Sequence, residues 1–352
     1  MKKVFVGMSG GVDSSVTALR LKQQGFDVTG VFIKVWHPDF LVCNWEQERL
    51  DAMRVAAYLD IPFLTCNAEE EYRDEVAKYF ISEYTAGRTP NPDVMCNKYV
   101  KFGAFLKFAQ EHGADFIATG HYARRIDNES GVPSLYRGVD NNKDQTYFLW
   151  SLTKEQLDFT LFPIGDTNKE DVRKEAEEAG LPTATKKDSQ GVCFLGHIDI
   201  PEFISHFVDL KVGDVLNEEG EVIGKHKGAM VYTVGQRHGF TIETKNQNRD
   251  VYYVQSRNVE NNTIIVTSKK PELVSAELLT LQDLVIREDL KKSDKLSAQT
   301  RYRQKPFEVV IKFISEKEVI LEIAEETTEA VAGGQSCVLY KDDLCVGGGI
   351  IA

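Results

Sequence analysis

Lys3-Val4-Phe5-Val6-Gly7-Met8-Ser9-Gly10-Gly11-Val12-Asp13-Ser14-Ser15 decides how the chain begins to fold. A short apolar run reads as a strand, and a helical pattern follows from about Asp13 to Gln24. Between them lies a turn built on two adjacent glycines. Glycine lets the backbone approach an anion closely. The helix start presents unpaired amides and the positive end of its dipole. Ser9, Ser14 and Ser15 add hydroxyl donors. The cluster reads as a cradle for phosphate or pyrophosphate. It is neither the mononucleotide loop, which needs G-x-x-x-x-G-K-[ST], nor the dinucleotide fingerprint. The Gly224-Lys225 pair is followed by His226 and lies in a different kind of sequence.

Working outward, strand and helix patterns alternate. Asp27–Trp36, Phe63–Cys66 and Asp115–Thr119 read as strands, and Glu46–Leu59, Glu70–Tyr84 and Tyr99–Glu111 as helices. In the first of these helices Leu50, Met53 and Ala57 are expected to share the buried face. Such alternation predicts an α/β fold with a parallel sheet covered on both sides. Ligands of such sheets bind beyond the carboxyl ends of the strands at the switch point, where the glycine turn would lie. After Val212 the runs shorten and turns multiply, with Val251–Val254, Thr263–Val266, Phe307–Phe313 and Cys337–Tyr340 reading as strands. The expected division is a catalytic nucleotide-binding domain over 1–205, a small β-rich domain over 206–272 and a C-terminal β-barrel-like domain over 273–352.

Composition narrows the function. The 352 residues are 42% hydrophobic and 27% charged, and no apolar run approaches the roughly 18 residues of a membrane helix. The basic start Met1-Lys2-Lys3 loses its apolar continuation at Gly7–Gly11, so it is not a secretory leader, and a cytoplasmic location without membrane contact is expected. Six scattered cysteines contain no C-x-x-C pair, so no metal site is predicted. Each is by default a small buried hydrophobe. A net charge of −12 argues against indiscriminate nucleic-acid binding. It leaves room for a local basic surface at Arg287, Lys291, Lys292, Lys295, Arg301, Arg303 and Lys305.

Two cysteines have unusual surroundings. Thr89-Pro90-Asn91-Pro92-Asp93-Val94-Met95-Cys96-Asn97 reads, with its two prolines, as a rigid exposed loop. Asp93 could exchange a proton there. Lys98 or a helix N-terminus would favour the Cys96 thiolate. The second segment, Lys186-Lys187-Asp188-Ser189-Gln190-Gly191-Val192-Cys193, again sets one cysteine among glycine, polar residues and lysines. Beside a phosphate-binding loop, such a pair invites sulfur transfer: one thiol would carry a persulfide and the other would resolve the intermediate as a disulfide.

The Ser9–Ser15 string resembles the PP-loop of ATP pyrophosphatases, which split ATP between the α- and β-phosphates. The chain as a whole resembles the bacterial tRNA-specific 2-thiouridylases. The likeness is carried by Gly7–Ser15, Asn91–Asn97, Ala118–Tyr122, Lys143–Tyr147, Gly191–Gly196, Thr233–Arg237, Thr300–Gln304 and Gly333–Ser336, in that order. The resemblance implies ATP, with magnesium, on Gly7, Met8, Ser9, Gly10, Gly11, Val12, Asp13 and Ser14, with Ile33 and Gly120 lining the adenosine pocket. Methionine is frequent in the family at the Ile33 position, a volume-conserving change. The resemblance also implies a persulfide on Cys193 supplied by a sulfur-donor protein, with Cys96 as second nucleophile and Asp93 as acid/base. Asn91, Pro92 and Asp93 would touch the target base. His121, Lys143, Asp144, Gln145, Arg301, Tyr302 and Gln335 would touch the tRNA. A wobble uridine suits such chemistry, because an unpaired base is readily splayed into a pocket.

A rival reading is a PP-loop synthetase that forms an amide on a small carbonyl substrate. It would need an ammonia source and has no use for the Cys96–Cys193 pair. A non-catalytic RNA-binding protein would not need an intact glycine loop. Cys43 reads as an ordinary cysteine that could relay sulfur, and Cys66, Cys337 and Cys345 as structural.

Overall fold

In the computed structural model of the chain, β1 (Lys3–Gly7) is the central strand of a five-stranded parallel sheet. The structure describes residues 1–41, 45–187, 198–243, 251–270, 277–324 and 331–352. The sheet also holds β2 (Asp27–Lys34), β3 (Phe63–Asn67), β4 (Phe116–Ala118) and, beyond a hairpin of β5 (Ala123–Asp127) and β6 (Pro133–Arg137), β7 (Thr160–Leu161). Its order is β3-β2-β1-β4-β7. Strands covered on both faces need apolar side chains on both. Accordingly Phe5 packs into one core cluster with Val31, Ile33 and Phe105, while Val4, Val6 and Met8 face the other way onto helix α1 (Val12–Gln23). Strand order reverses between β1 and β4, so the glycine turn leaves β1 at the switch point, as expected.

Helix α2 (Trp45–Tyr58) forms where it was read, but with a different face inward. Ala52, Val55 and Ala56 are buried, whereas Leu50 and Met53 are exposed at 40% and 38%. Close approach explains the correction. A side chain on Gly10 would strike the Glu48 carbonyl and crowd Asp51 and Ala52, so only small residues fit between helix and loop.

The proline segment differs more. Asn91 adopts extended backbone and its Oδ1 accepts from Val94 N at 3.3 Å, with Pro92 at the first helical position. This is an N-cap followed by N1 proline, the usual start of a helix. The helix Pro92–Met95 continues as a π-helix over Cys96–Ala104 and as an α-helix over Phe105–Glu111. Cys96 is fully buried rather than displayed on a loop.

The β-rich second half is present. One five-stranded sheet holds Gly213–Leu216, Val222–His226, Phe240–Ile242, Tyr253–Asn258 and Thr263–Thr267. Its core also takes Phe80, Tyr84 and Phe203 from neighbouring helices. Leu278–Ile286 pairs with both Val319–Ile323 and Leu344–Ile351, which closes the C-terminal strands into a barrel. The β5–β6 hairpin attaches to that barrel through Tyr136 opposite Leu344, an association that no local pattern announces. Arg287 leaves the anticipated basic surface: it is 4% exposed and donates to the carbonyls of Trp150 at 2.5 Å, Leu152 at 2.9 Å and Cys345 at 2.7 Å. A side chain spent on buried carbonyls cannot contact RNA, whereas Lys292, Lys295, Arg303 and Lys305 remain exposed. Among the described residues, no helix is long and apolar enough to cross a membrane.

Candidate active site

The nucleotide loop is built almost wholly from its own residues. Met8 extends the strand ladder by donating its amide to Val31 O at 2.8 Å. The chain then turns through Gly10, whose φ of +72° is a left-handed conformation that other residues resist. Helix α1 starts at Gly11 with no side-chain cap, so its first amides stay available to an anion. Met8, Val12, Ser14 and Ser15 are buried. Ser14 and Ser15 donate their hydroxyls to Gly11 O at 3.2 and 2.7 Å. Of the three serines read as donors, Ser9 alone is exposed.

Neighbouring strands complete the cradle. Ile33, 7% exposed, lies beside Gly7 near the carboxyl end of β2. A side chain on Gly120 would come 2.7 Å from Ser14 N and 2.8 Å from Asp13 C, so only glycine lets the exit of β4 rest on the first turn of α1. Asp13 is engaged by Lys169, whose Nζ lies 2.7 and 2.8 Å from its two oxygens, and by the Tyr122 hydroxyl at 2.8 Å. Lys169 has no signal in the local sequence, being 156 positions away. Among the described residues no cluster of three or more potential metal ligands occurs.

Cys193 and Cys43 lie outside the described residues. The approach to Cys193 is described and is fastened to the nucleotide loop. Thr183 Oγ1 donates to Ser15 Oγ at 2.8 Å, and Lys186 Nζ meets Asp51 Oδ2 at 2.7 Å. Burial pushes the Asp51 carboxyl up, but the Lys186 hydrogen bond and charge win and hold it below the usual range.

The second centre is the Asn91–Cys96 helix, which three parts of the chain grip. Thr89 Oγ1 pairs with Thr233 Oγ1 at 3.0 Å, and Arg257 donates to Gly87 O, both partners coming from the central sheet region. Thr89 N donates to Gly333 O at 2.9 Å. Tyr147 sends its hydroxyl to Thr300 O at 2.9 Å and Ser336 O at 3.3 Å, and the Asn91 side chain also reaches it. Arg301 Nη2 donates to Val234 O at 2.9 Å. Tyr302 rests on Phe148 with ring centres 4.6 Å apart. Gln335 Oε1 is buried there with no hydrogen-bond partner. Motifs separated by more than two hundred positions thus meet around one short helix, with Asp93 half-buried on it.

Two residues expected at the tRNA have buried side chains. His121 is 7% exposed between Phe102 and Phe162, with Nδ1 2.8 Å from Thr119 Oγ1. Burial, helped by Lys101, holds its pKa well below the ordinary histidine value. Asp144, also 7% exposed, accepts from Arg137 Nη1 at 2.9 Å, Gly138 N at 3.0 Å and the Thr146 hydroxyl at 2.9 Å. Both side chains are committed to the interior, while Lys143 is half-buried and Gln145 braces backbone. Cys66, Cys337 and Cys345 are buried, as read. Burial raises all three thiols, the first two to about 12.

This geometry defines a class: an α/β nucleotide-binding domain with a phosphate cradle at the switch point, joined to two β-rich modules that close around a buried cysteine. Family models agree, matching a tRNA methyl transferase HUP domain over residues 2–197, a tRNA methyl transferase PRC-barrel domain over 201–268 and an aminomethyltransferase beta-barrel domain over 276–351. The chain is 46% identical to the tRNA-specific 2-thiouridylase MnmA of Proteus mirabilis, over 99% of this chain and 97% of the relative. It is 47% identical to that of Vibrio parahaemolyticus (99% and 96%) and 44% to that of Enterococcus faecalis (99% and 95%). The chain belongs to the tRNA-specific 2-thiouridylase family. A 4-thiouridine synthetase–RNA complex with bound ATP matches 58% of this chain and 50% of that chain at 21% identity and a TM-score of 0.38, too weak a likeness to bear on function.

Proposed function

We propose that this enzyme converts the wobble uridine of tRNA to 2-thiouridine, using ATP and a sulfur atom delivered to Cys193 as a persulfide by a donor protein. The observation that carries this reading is the end-to-end likeness to the 2-thiouridylases, which includes the glycine loop and the Asn91–Cys96 helix. ATP lies on Gly7–Ser14, with Ile33 and Gly120 beside the adenosine, and the loop amides take the pyrophosphate. Magnesium would accompany the nucleotide phosphates at this loop and would supply charge neutralisation there. Asn91, Pro92 and Asp93 hold the splayed uridine, and Lys143, Gln145, Arg301, Tyr302 and Gln335 hold the surrounding RNA. The working division is 1–205 for catalysis, with 206–272 and 273–352 clamping the Asn91–Cys96 helix and the RNA.

The uridine C2 oxygen attacks the α-phosphate, pyrophosphate leaves, and C2 becomes bonded to an AMP leaving group. The terminal persulfide sulfur attacks C2, and AMP departs with the original oxygen. Cys96 thiolate, its proton taken by Asp93, then attacks the Cys193 sulfur. The S–S electrons pass to the departing sulfur, which stays on C2 as the thiocarbonyl. A Cys96–Cys193 disulfide remains and must be reduced by a thiol before the next turnover.

The test is mass spectrometry of nucleosides from tRNA incubated with the protein, ATP-magnesium and a persulfide-loaded donor. The expected result is 2-thiouridine with wild type and none with Cys193→Ser. Turnover of ATP on a small carbonyl compound, without thiolation of any tRNA, would favour the amide-forming synthetase.

A further inference from the structure

We propose that Tyr122 is a positioning residue that couples RNA engagement to nucleotide binding, an inference that rests on the tRNA-thiolating reading above. Its two ends are fixed by different parts of the enzyme. The phenol, 2% exposed, donates to Asp13 Oδ1 at 2.8 Å, in the first turn of the helix whose amides form the phosphate cradle. Its main chain is clasped by Gln145 in both directions. Tyr122 N donates to Gln145 Oε1 at 2.9 Å, and Gln145 N donates to Tyr122 O at 2.9 Å. A rigid ring joins these ends, so a shift of Gln145 moves the hydroxyl that orients Asp13.

The path continues toward the RNA side. Beside Gln145, Asp144 is held by Arg137, whose Nη2 also donates to Gln299 Oε1 at 3.3 Å. Gln299 Nε2 donates to Arg301 O at 3.0 Å, and Arg301 opens the turn that carries Tyr302. Asp144 and Gln299 are 7% and 4% exposed, so these bonds lie where water cannot substitute for a displaced partner. RNA that seats Arg301, Tyr302 or Gln145 therefore also sets Tyr122. Asp13 is shared between the Tyr122 hydroxyl and Lys169, which meets both its oxygens.

The experiment uses the full chain and α,β-methylene ATP with magnesium, whose dissociation constant is measured with and without saturating unmodified tRNA. Wild type is expected to bind the nucleotide at least about fivefold tighter with tRNA, the lower end of ordinary coupling between sites. Tyr122→Phe keeps the ring and removes only the hydroxyl. It should bring that factor close to one while leaving tRNA affinity without nucleotide within twofold. Gln145→Met removes the side-chain half of the clasp at the other end. The double variant should lose no more coupling than either single one, because the two residues serve one path. A Tyr122→Phe enzyme that weakens nucleotide binding equally with and without tRNA would show a purely structural hydroxyl and overturn the inference. Wild type that thiolates tRNA but binds the analogue indifferently to it would also overturn the inference, and it alone. Wild type that neither binds nor thiolates tRNA would overturn the functional reading, and the inference with it.

Discussion

The nucleotide loop and the Asn91–Cys96 helix both use the start of a helix, yet they are assembled in opposite ways. The loop takes its shape from adjacent residues: a strand end, a left-handed Gly10 and an uncapped first turn on Gly11. The cysteine helix has a local start in Asn91 and Pro92, but its placement depends on Thr233 and Val234, on Thr300 and Arg301, and on Gly333 and Ser336. The first centre can exist as soon as the α/β domain has folded. The second is complete only when both β-rich regions have docked. The proposed order of the chemistry would match this difference, since adenylylation needs a cradle and sulfur transfer needs an enclosed base beside a thiol.

The largest expected effects separate the two centres. Cys96→Ser should lower 2-thiouridine formation by about three orders of magnitude or more, because the thiol that releases the thiocarbonyl sulfur from Cys193 is lost. Binding of ATP, measured by calorimetry, should be unchanged. Gly10→Ala should do the reverse. Its new Cβ would lie 2.4 Å from Glu48 O at a φ of +72°, with a strain of about 1–3 kcal/mol. Nucleotide affinity should drop at least about tenfold, the equivalent of 1.4 kcal/mol, while tRNA affinity holds. Gly10→Ala that still binds ATP normally would remove the loop from the nucleotide site and end the comparison.

A smaller effect tests the docking. Thr89→Val keeps the side-chain shape and deletes the hydrogen bond to Thr233, which costs about 1 kcal/mol. Thiolation at subsaturating tRNA should weaken severalfold, ATP binding should not change, and urea unfolding should show the loss of stability. Equal weakening of ATP binding would mean that the two centres are not built independently.

What the sequence revealed follows the same line. The glycine loop was legible because its chemistry is contiguous, and the parallel sheet because hydrophobic runs alternate with helical ones. The helix start at Asn91-Pro92 was also present as a cap signal, but the two prolines suggested an exposed loop, which misplaced Cys96 at the surface. Leu50 and Met53 mislead for another reason: large apolar residues normally face inward, while close approach to Gly10 selects the small Ala52 for the buried face. Partners distant in sequence had no local signature at all. Lys169 meets Asp13 only after the sheet has formed, and Arg287 looks like any surface arginine until its carbonyl partners are seen.

His121 gives the smallest and most specific test, because it asks which centre that residue serves. The structure encloses it, neutral, between Phe102 and Phe162 and next to Gly120, which rests on the first turn of α1. Its folded pKa lies well below the unfolded value of about 6.5. Above that value the residue is neutral in both states. As pH falls below it the unfolded chain takes up a proton that the folded one refuses, so stability falls toward the depressed folded pKa. The slope attributable to one such group approaches about 1.4 kcal/mol per pH unit. Urea unfolding at pH 7.5 and 5.5 should therefore show a larger acid loss for wild type than for His121→Gln, which has no proton to refuse. Affinity for tRNA should be the same for both proteins at pH 7.5. Parallel acid losses together with weaker tRNA binding by the variant would place His121 on the RNA side, and the support of the nucleotide loop would then have to come from Tyr122 and Gly120 alone.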